Sequence, residues 1–334
     1  AVGSIIPVNS TTASTQIYSA ITDLAGGKFA VTWQSLNIAG GNSDEIILRI
    51  FNADGTADTG EIIVNQTLSG TQFNEAYYNE TIDQLADGRI LVSWTTADGS
   101  GNGTWARVFE ADGTAVTDEF RVNSVTTGEQ RYGSVGTLED GGFVVTYTDF
   151  NSRDGSGYGV FAQRFDSSGN AIGDDFQVNN YVNSTQQISK VQGLEDGGFV
   201  VVWESYSINN RYNIHGQRYD SDGIAVGGEF VVNDIDNSFH QNRLPSLAIR
   251  DDGAIVVAWD NTSTNTIEQK ILDLDAASVV SARLLEPSDA DAEANAAEMT
   301  AMGSLVFSDV DVSDANHHAS VSDVEVVSGD AGGI

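Results

Sequence analysis

A five-fold internal repeat constrains this chain more than any other feature. A Val-Asn pair recurs at Val8-Asn9, Val64-Asn65, Val122-Asn123, Val178-Asn179 and Val232-Asn233, at intervals of 56, 58, 56 and 54 residues. A second landmark is a turn followed by an apolar run that ends on an aromatic residue. It reads GGKFAVTW to Trp33, DGRILVSW to Trp94, DGGFVVTY to Tyr147, DGGFVVVW to Trp203 and DGAIVVAW to Trp259. The third is a strand end with a tight turn: FNADG from Phe51, FEADG from Phe109, FDSSG from Phe165, YDSDG from Tyr219 and, in altered form, LDLDA from Leu272. Three landmarks in one order, five times over, define a supersecondary unit that cannot bury its apolar face alone and must stack on its copies.

Each unit holds four strand-like pieces. In the third they are Ser134–Leu138, Phe143–Tyr147, Val160–Phe165 and Asp175–Asn179, separated by Gly- and Asp-rich turns of the kind that join antiparallel hairpins. The pieces alternate with period two, and no stretch of the repeat carries a helical period. In the fourth unit Phe199, Val201 and Trp203 face one way while Val200 and Val202 face the other. A strand that is apolar on both faces needs cover on both, which radial packing of four-stranded sheets supplies. The expected fold is therefore all-β: a five-bladed β-propeller with four-stranded antiparallel blades over residues 1–286, with a sixth blade from elsewhere in the chain and an open β-solenoid as the alternatives. Two segments are available to complete the last blade, the Val8-Asn9 strand and the matching stretch Ser278–Leu285.

Beyond Glu286 the composition changes. Residues 287–302 read as an acidic, Ala-rich linker, and 303–334 as two strands around an Asp-rich loop. A sandwich domain needs ~100 residues, so this tail is expected to be an incomplete, β-sandwich-like segment and the chain a piece of a longer polypeptide.

The charge balance narrows the partners. The 334 residues carry 48 acidic and 15 basic side chains, a formal net charge of −33, and no cysteine. Such a surface repels nucleic acid and anionic lipid. Disulfides, thiol nucleophiles and Cys-zinc sites are excluded. A hydrophobic content of 40% can build a core, unlike that of a disordered chain, and no apolar run approaches the ~18–20 residues of a membrane span. The lysines are Lys28, Lys190 and Lys270. Crowded carboxylates with few cationic partners are relieved by divalent cations, and calcium takes carboxylate and carbonyl oxygens. A plain solubility coat needs no such ion.

The repeat form D-G-G-F-V-V-x-W, the DGSGYG loop, F-A-Q-R-F-D and G-x-x-F-x-V-N together resemble repeats of RTX-type, type I-secreted calcium-binding bacterial surface proteins and adhesins. The tail GSLVFSDVDVSDANHHASVS is similar to the start of a VCBS-type cadherin-like repeat. This resemblance implies a secreted or cell-surface location, Ca2+ as cofactor, and an adhesive or matrix role. Partners would be glycans or surface proteins, together with neighbouring domains of the same longer chain. Two departures stand out: the G-G-x-G-x-D nonapeptide repeat is absent, and the fifth unit has lost both its Asp-Gly turn and its DGSG loop.

Candidate site residues follow from register. Eight positions after each repeated Val stand Gln16, Gln72, Gln130, Gln186 and His240. Amides on a rim can bind sugar hydroxyls, or they can bond neighbouring backbone and seal the joints between blades. Asp98 and Asp154 open the DGSG loops, where a carboxylate beside flexible carbonyls suits a hard cation and Asp-Gly equally suits a turn. In the tail, Asp309 and Asp311 share one side of a strand with Asp314 just beyond; such carboxylates suit calcium, as the resemblance also implies, and equally suit a solvated loop. His317 and His318 are adjacent, so on a strand they face apart. The five register aromatics Trp33, Trp94, Tyr147, Trp203 and Trp259 read as core. A glycosidase needs two carboxylates ~5–9.5 Å apart. Glu80 and Asp83 interrupt the repeat on an inner strand, but three residues apart they face opposite sides. The expected function is a non-enzymatic propeller module for adhesion or spacing, with a propeller glycoside hydrolase or lectin acting on extracellular polysaccharide as the alternative.

Overall fold

The computed structural model describes residues 5–36, 44–68, 71–75, 81–206, 211–233, 241–250 and 252–272. They belong to one compact unit, Ala1–Asp273. The linker, the stretch Ser278–Leu285 and the whole Asp-rich tail lie outside the described residues, as do Glu80 and His240.

The strands fall into five sheets in chain order. Blade one is β1 (Gln16–Leu24), β2 (Lys28–Leu36), β3 (Asp44–Phe51) and β4 (Ile62–Ile63). Blade two is β5 (Ile82–Gln84), β6 (Ile90–Ala97), β7 (Asn102–Phe109) and β8 (Phe120–Arg121). Blade three is β9 (Gln130–Thr137), β10 (Phe143–Asp149), β11 (Gly159–Phe165) and β12 (Ala171–Gln177). Blade four is β13 (Thr185–Gly193), β14 (Phe199–Tyr206), β15 (Tyr212–Tyr219) and β16 (Ala225–Val231). Blade five is β17 (Asn242–Ile249), β18 (Ile255–Asn261) and β19 (Thr266–Leu272). Neighbours in sequence are neighbours in each sheet and every pairing is antiparallel. The molecule is a five-bladed β-propeller, as the repeat predicts, and among the described residues its fifth blade shows three strands.

The apolar cores lie between blades. Ile46, Leu48 and Ile50 of β3 share one core with Ile90, Val92 and Trp94 of β6. Leu91 and Val108 meet Val145 and Tyr147 in the next, and Val144 and Val160 meet Val201 and Trp203 in the third. This is why the second strand of each unit is apolar on both faces. The five register aromatics are each at most 5% exposed, with the large apolar areas expected of core rings.

Polar devices repeat along with the cores. The inner strands of blades one, three, four and five bulge two residues after Gln16, Gln130, Gln186 and Asn242, at Tyr18 (φ 55°), Tyr132 (φ 60°), Ile188 (φ 52°) and Leu244 (φ 51°). A left-handed conformation costs such residues on the order of 1–3 kcal/mol and persists only where the surroundings impose it. Here the turned-out amide reaches the preceding blade. Ile188 N–H donates to Thr148 Oγ1 at 3.2 Å and Leu244 N–H to Glu204 Oε1 at 2.7 Å.

The second device is an acidic residue three positions before each later Val-Asn pair. Glu61 accepts the Ser10 and Thr11 amides at 2.6 and 3.0 Å, and Glu119 those of Gln66 and Thr67 at 2.7 and 3.2 Å. Asp175 accepts Ser124 N–H at 3.1 Å, and Glu229 the Asn180 and Tyr181 amides at 2.6 and 3.0 Å. Each carboxylate thus fastens its own blade to the chain that enters it. Part of the acidity of this sequence is structural.

Candidate functional site

The rim holding the starts of the inner strands also holds the ends of the second strands, since Gln16 pairs with Ser35 and Gln186 with Ser205. The repeated amides sit there with their polar atoms bonded within the protein. Gln72, Gln130 and Gln186 are fully buried. Gln16 Oε1 accepts the Trp33 indole N–H at 2.8 Å, and Gln72 Oε1 that of Trp94 at 3.1 Å. Gln130 Nε2 donates to Thr127 O and Asp149 Oδ2, and Gln186 Nε2 to Asn183 O. In the fifth blade this place is taken by Asn242, whose Oδ1 accepts from Trp259 at 3.1 Å. Four amides and this asparagine therefore tie core rings and joints together, the sealing role.

The DGSG loops have an equally local explanation. Asp98 Oδ1 accepts Ser100 N–H at 3.1 Å and Asp154 Oδ1 accepts Ser156 N–H at 3.2 Å, each closing its own turn. Asp154 Oδ2 is further held by Asn179 Nδ2 at 3.0 Å, and burial raises the pKa of this carboxyl. The last glycine of each loop touches the chain entering the next blade. A Cβ on Gly101 would lie 2.0 Å from Gly128 O, and one on Gly157 2.1 Å from Ser184 O. Among the described residues no group of three or more His, Asp or Glu side chains is placed to hold a metal ion. Asp309, Asp311 and Asp314 lie outside the described residues.

Departures from the repeat are more informative than the repeat itself. At the mouth of the second-to-third hairpin, blade three carries Phe150 and Tyr158, and blade four carries Tyr206 and Tyr212. The equivalent pairs are Leu36 and Asp44, Ala97 and Asn102, and Thr262 and Asn265 in the other blades. Ring centroids are 4.4 Å apart in the first aromatic pair and 4.6 Å in the second. Tyr132, on the bulge of β9, extends the row with its ring 5.4 Å from Phe150. Burial raises the Tyr212 pKa; Arg243 opposes this, while Glu204, Tyr206 and Tyr158 add to it. All five rings are partly exposed. The row spans two adjacent blades.

Arginines stand at both ends. Arg131 lies 5.0 Å from the Phe73 ring centre and 5.7 Å from that of Tyr132. Arg243 lies 4.5 Å from that of Tyr212. Both are charge-matched: Arg131 by Glu75 at 3.1 Å and Glu129 at 3.6 Å, Arg243 by Glu204 at 3.5 Å. Such stacked cations add binding energy at an aromatic surface without leaving net positive charge.

Blade two departs in a second way. Its rim amide and core indole are 22 positions apart, against 17 in blades one and five. Among the described residues the inner strand of this blade is the short β5, and Glu75, which precedes it, is 6% exposed. Burial pushes its carboxyl above the usual range although Arg131 opposes this. Asp83, part-buried on β5, accepts the Gln84 amide at 2.8 Å. Reading the sequence against its own repeat could have found three features: the aromatic pairs, the longer spacing in unit two, and the acid before each Val-Asn pair. The landmarks that repeat most faithfully proved to be framework.

No family model and no curated protein matches this chain. Solved structures do resemble it. A protein of unknown function from Dyadobacter fermentans is 9% identical, with a TM-score of 0.55 over 78% of this chain and 79% of that one. The α-L-arabinofuranosidase from Lactobacillus brevis is 8% identical, with a TM-score of 0.45 over 77% and 90%. The endo-arabinase from Bacteroides thetaiotaomicron is 14% identical, with a TM-score of 0.43 over 77% and 93%. At such identities the likeness concerns the fold alone. No helix among the described residues is long and apolar enough to cross a membrane.

Proposed function

We propose that this propeller is a carbohydrate-contacting module of an exported bacterial surface or matrix protein, holding a neutral polysaccharide along the rim of blades three and four. The observation that carries the reading is the aromatic row Tyr132, Phe150, Tyr158, Tyr206 and Tyr212, whose two hairpin pairs stand where the other blades have no aromatic residue. Rigid rings with a polar tip offer apolar contact to the C–H faces of sugars and a hydroxyl to their edges, at small entropic cost. The flanking arginines are matched by carboxylates and the chain carries −33 overall, so an acidic polysaccharide is repelled. Export rests on the resemblance to RTX-type surface proteins. Screening the full chain against arrayed neutral and acidic glycans tests the reading. Binding confined to neutral chains supports it; binding to none, or only to acidic ones, overturns it.

A second reading, hydrolysis of such a polysaccharide, is favoured by one feature. Glu75 is a repeat-breaking carboxyl kept protonated to higher pH by burial, as a general acid must be. Release of reducing ends, abolished in Glu75→Gln, supports it, and unchanged release in that variant overturns it.

Calcium is proposed in the tail, at Asp309, Asp311 and Asp314, on their spacing and the resemblance to a VCBS-type repeat. Calcium added to EDTA-treated full chain should raise the melting temperature of a transition that Asp309→Asn with Asp311→Asn no longer shows. An unchanged melt in the unmodified chain sinks this proposal.

A further inference from the structure

Blade five leaves apolar side chains in the open. On β19, Ile267 is 74% and Ile271 53% exposed. The register that sets Trp33 opposite Ile47 and Trp259 opposite Glu268 makes Ile46 and Ile50 their equivalents. Both of these are fully buried, in the core shared with blade two.

The segment that belongs on this edge is identified by its other contacts. Residues 6–11 repeat against blade one what residues 62–67 do against blade two. Ile6 Cδ1 lies 2.4 Å from where a Cβ on Gly55 would stand, and Ile62 Cδ1 lies 2.3 Å from the same point at Gly113. Arg49 Nη1 donates to Val8 O at 2.5 Å, and Arg107 Nη1 to Val64 O at 2.8 Å. Glu61 takes the Ser10 and Thr11 amides as Glu119 takes those of Gln66 and Thr67. Asn9 Nδ2 donates to Thr11 O at 2.9 Å, and Asn65 Nδ2 to Thr67 O at 3.0 Å. Residues 62–67 are the fourth strand of blade one and the chain leaving it. In the ring, the blade preceding blade one is blade five.

We infer that Ile5–Asn9 is the fourth strand of blade five, antiparallel to β19, so that the ring is closed by the segment preceding blade one and not by Ser278–Leu285. Ile62 pairs with Leu48 and Ile63 with Ile47. Transferred to blade five, Ile6 pairs with Gln269 and Pro7 with Glu268. The proline is a stringent check. Val64 N–H donates to Ile46 O at 2.8 Å, so 46 and 64 form a hydrogen-bonded pair and 47 and 63 do not. Pro7 therefore falls where the fourth strand's amide points away from the sheet, a place where proline is tolerated. Asn9 Oδ1 is then free to receive the Ile267 amide, as Asn65 receives that of Ile46 at 2.9 Å and Asn179 that of Val160 at 2.8 Å. Closure also shields Ile267 and Ile271, and it pairs a strand edge that would otherwise be open to association.

The test uses the full chain, which has no cysteine of its own. Hydrogen-bonded antiparallel partners lie about 5.5 Å apart at Cα, within the range a disulfide spans. Ile6→Cys with Gln269→Cys should oxidise to an intramolecular disulfide, seen as loss of two hydrogens in intact mass and as a raised melting temperature. Free thiols or linked dimers in a chain of native circular dichroism overturn the inference, as does efficient bridging of Gln269→Cys to Val280→Cys instead. Should the double variant not fold, amide exchange in the unmodified chain decides. Slow exchange at Ile267, comparable to Ile46, supports closure, provided a chain beginning at Ser10 loses it. Fast exchange at Ile267 in the unmodified chain overturns it.

Discussion

Asp175→Ala is expected to cost about 3 kcal/mol of stability, the low end of what breaking a buried ion pair costs. The side chain is 1% exposed and its carboxylate accepts Arg153 Nη1 at 2.9 Å, Arg153 Nη2 at 2.8 Å and Ser124 Oγ at 2.6 Å, together with the Tyr147 hydroxyl. Its removal leaves the Tyr147 hydroxyl without an acceptor and the Arg153 guanidinium without its counter-charge, holding only Tyr147 Oη at 3.1 Å, at the joint of blades two and three. Water partly compensates, because the Arg153 side chain is 25% exposed while it lies over Phe161. For a domain of this size the loss lowers the melting temperature by roughly 6–12 °C.

The effect should depend on pH with a defined sign. Burial alone would raise the Asp175 pKa, but the hydrogen bonds from Arg153, Ser124 and Tyr147 outweigh it and hold the carboxyl well below its ordinary value of 3.8. A depressed pKa contributes stability that is fully present above the unfolded value and is lost as pH falls toward the folded one. The melting curves of native chain and variant should therefore be furthest apart at neutral pH and converge progressively below about pH 4. A gap that persists unchanged at pH 2 would show that the deficit comes from lost packing, not from the carboxylate.

Tyr158→Ala with Tyr212→Ala should reduce affinity for a neutral oligosaccharide by two to three orders of magnitude. A well-placed tyrosine at the centre of an interface is worth about 2 kcal/mol, or roughly 30-fold. Neighbouring rings couple, so the double loss falls short of the product. Both rings are partly exposed, and the melting temperature should move little. Asn102→Ala, at the place in blade two equivalent to Tyr158 and Tyr212, should leave affinity unchanged. Calorimetry with an oligosaccharide taken from the glycan screen decides. An affinity within twofold of the native chain for the double variant removes the aromatic row from the function.

The architecture was legible because its causes are local. Phe199, Val201 and Trp203 declare a strand buried on both faces within five residues, and Asp-Gly turns declare where it reverses. The rim amides were found for the same reason, by their constant distance from Val-Asn. Their role was not, because whether Gln72 meets a sugar or the Trp94 indole depends on a residue 22 positions away. Asp98 and Asp154 carry the composition of a cation loop. Only the folded loop shows each carboxylate closing its own turn, with Gly101 and Gly157 pressed against the chain entering the next blade.

Alone, then, the sequence determines the unit, its number of copies and the core positions, because period-two alternation and turn chemistry act over a few residues. The stacking of blades decides the rest. It brings Glu229 to the amides of Asn180 and Tyr181, some 49 positions away. It lines up rings from two hairpins as one row, and it sets Val8 against Arg49 as Val64 is set against Arg107. Such contacts join residues distant along the chain, and no local pattern encodes the geometry that makes them neighbours.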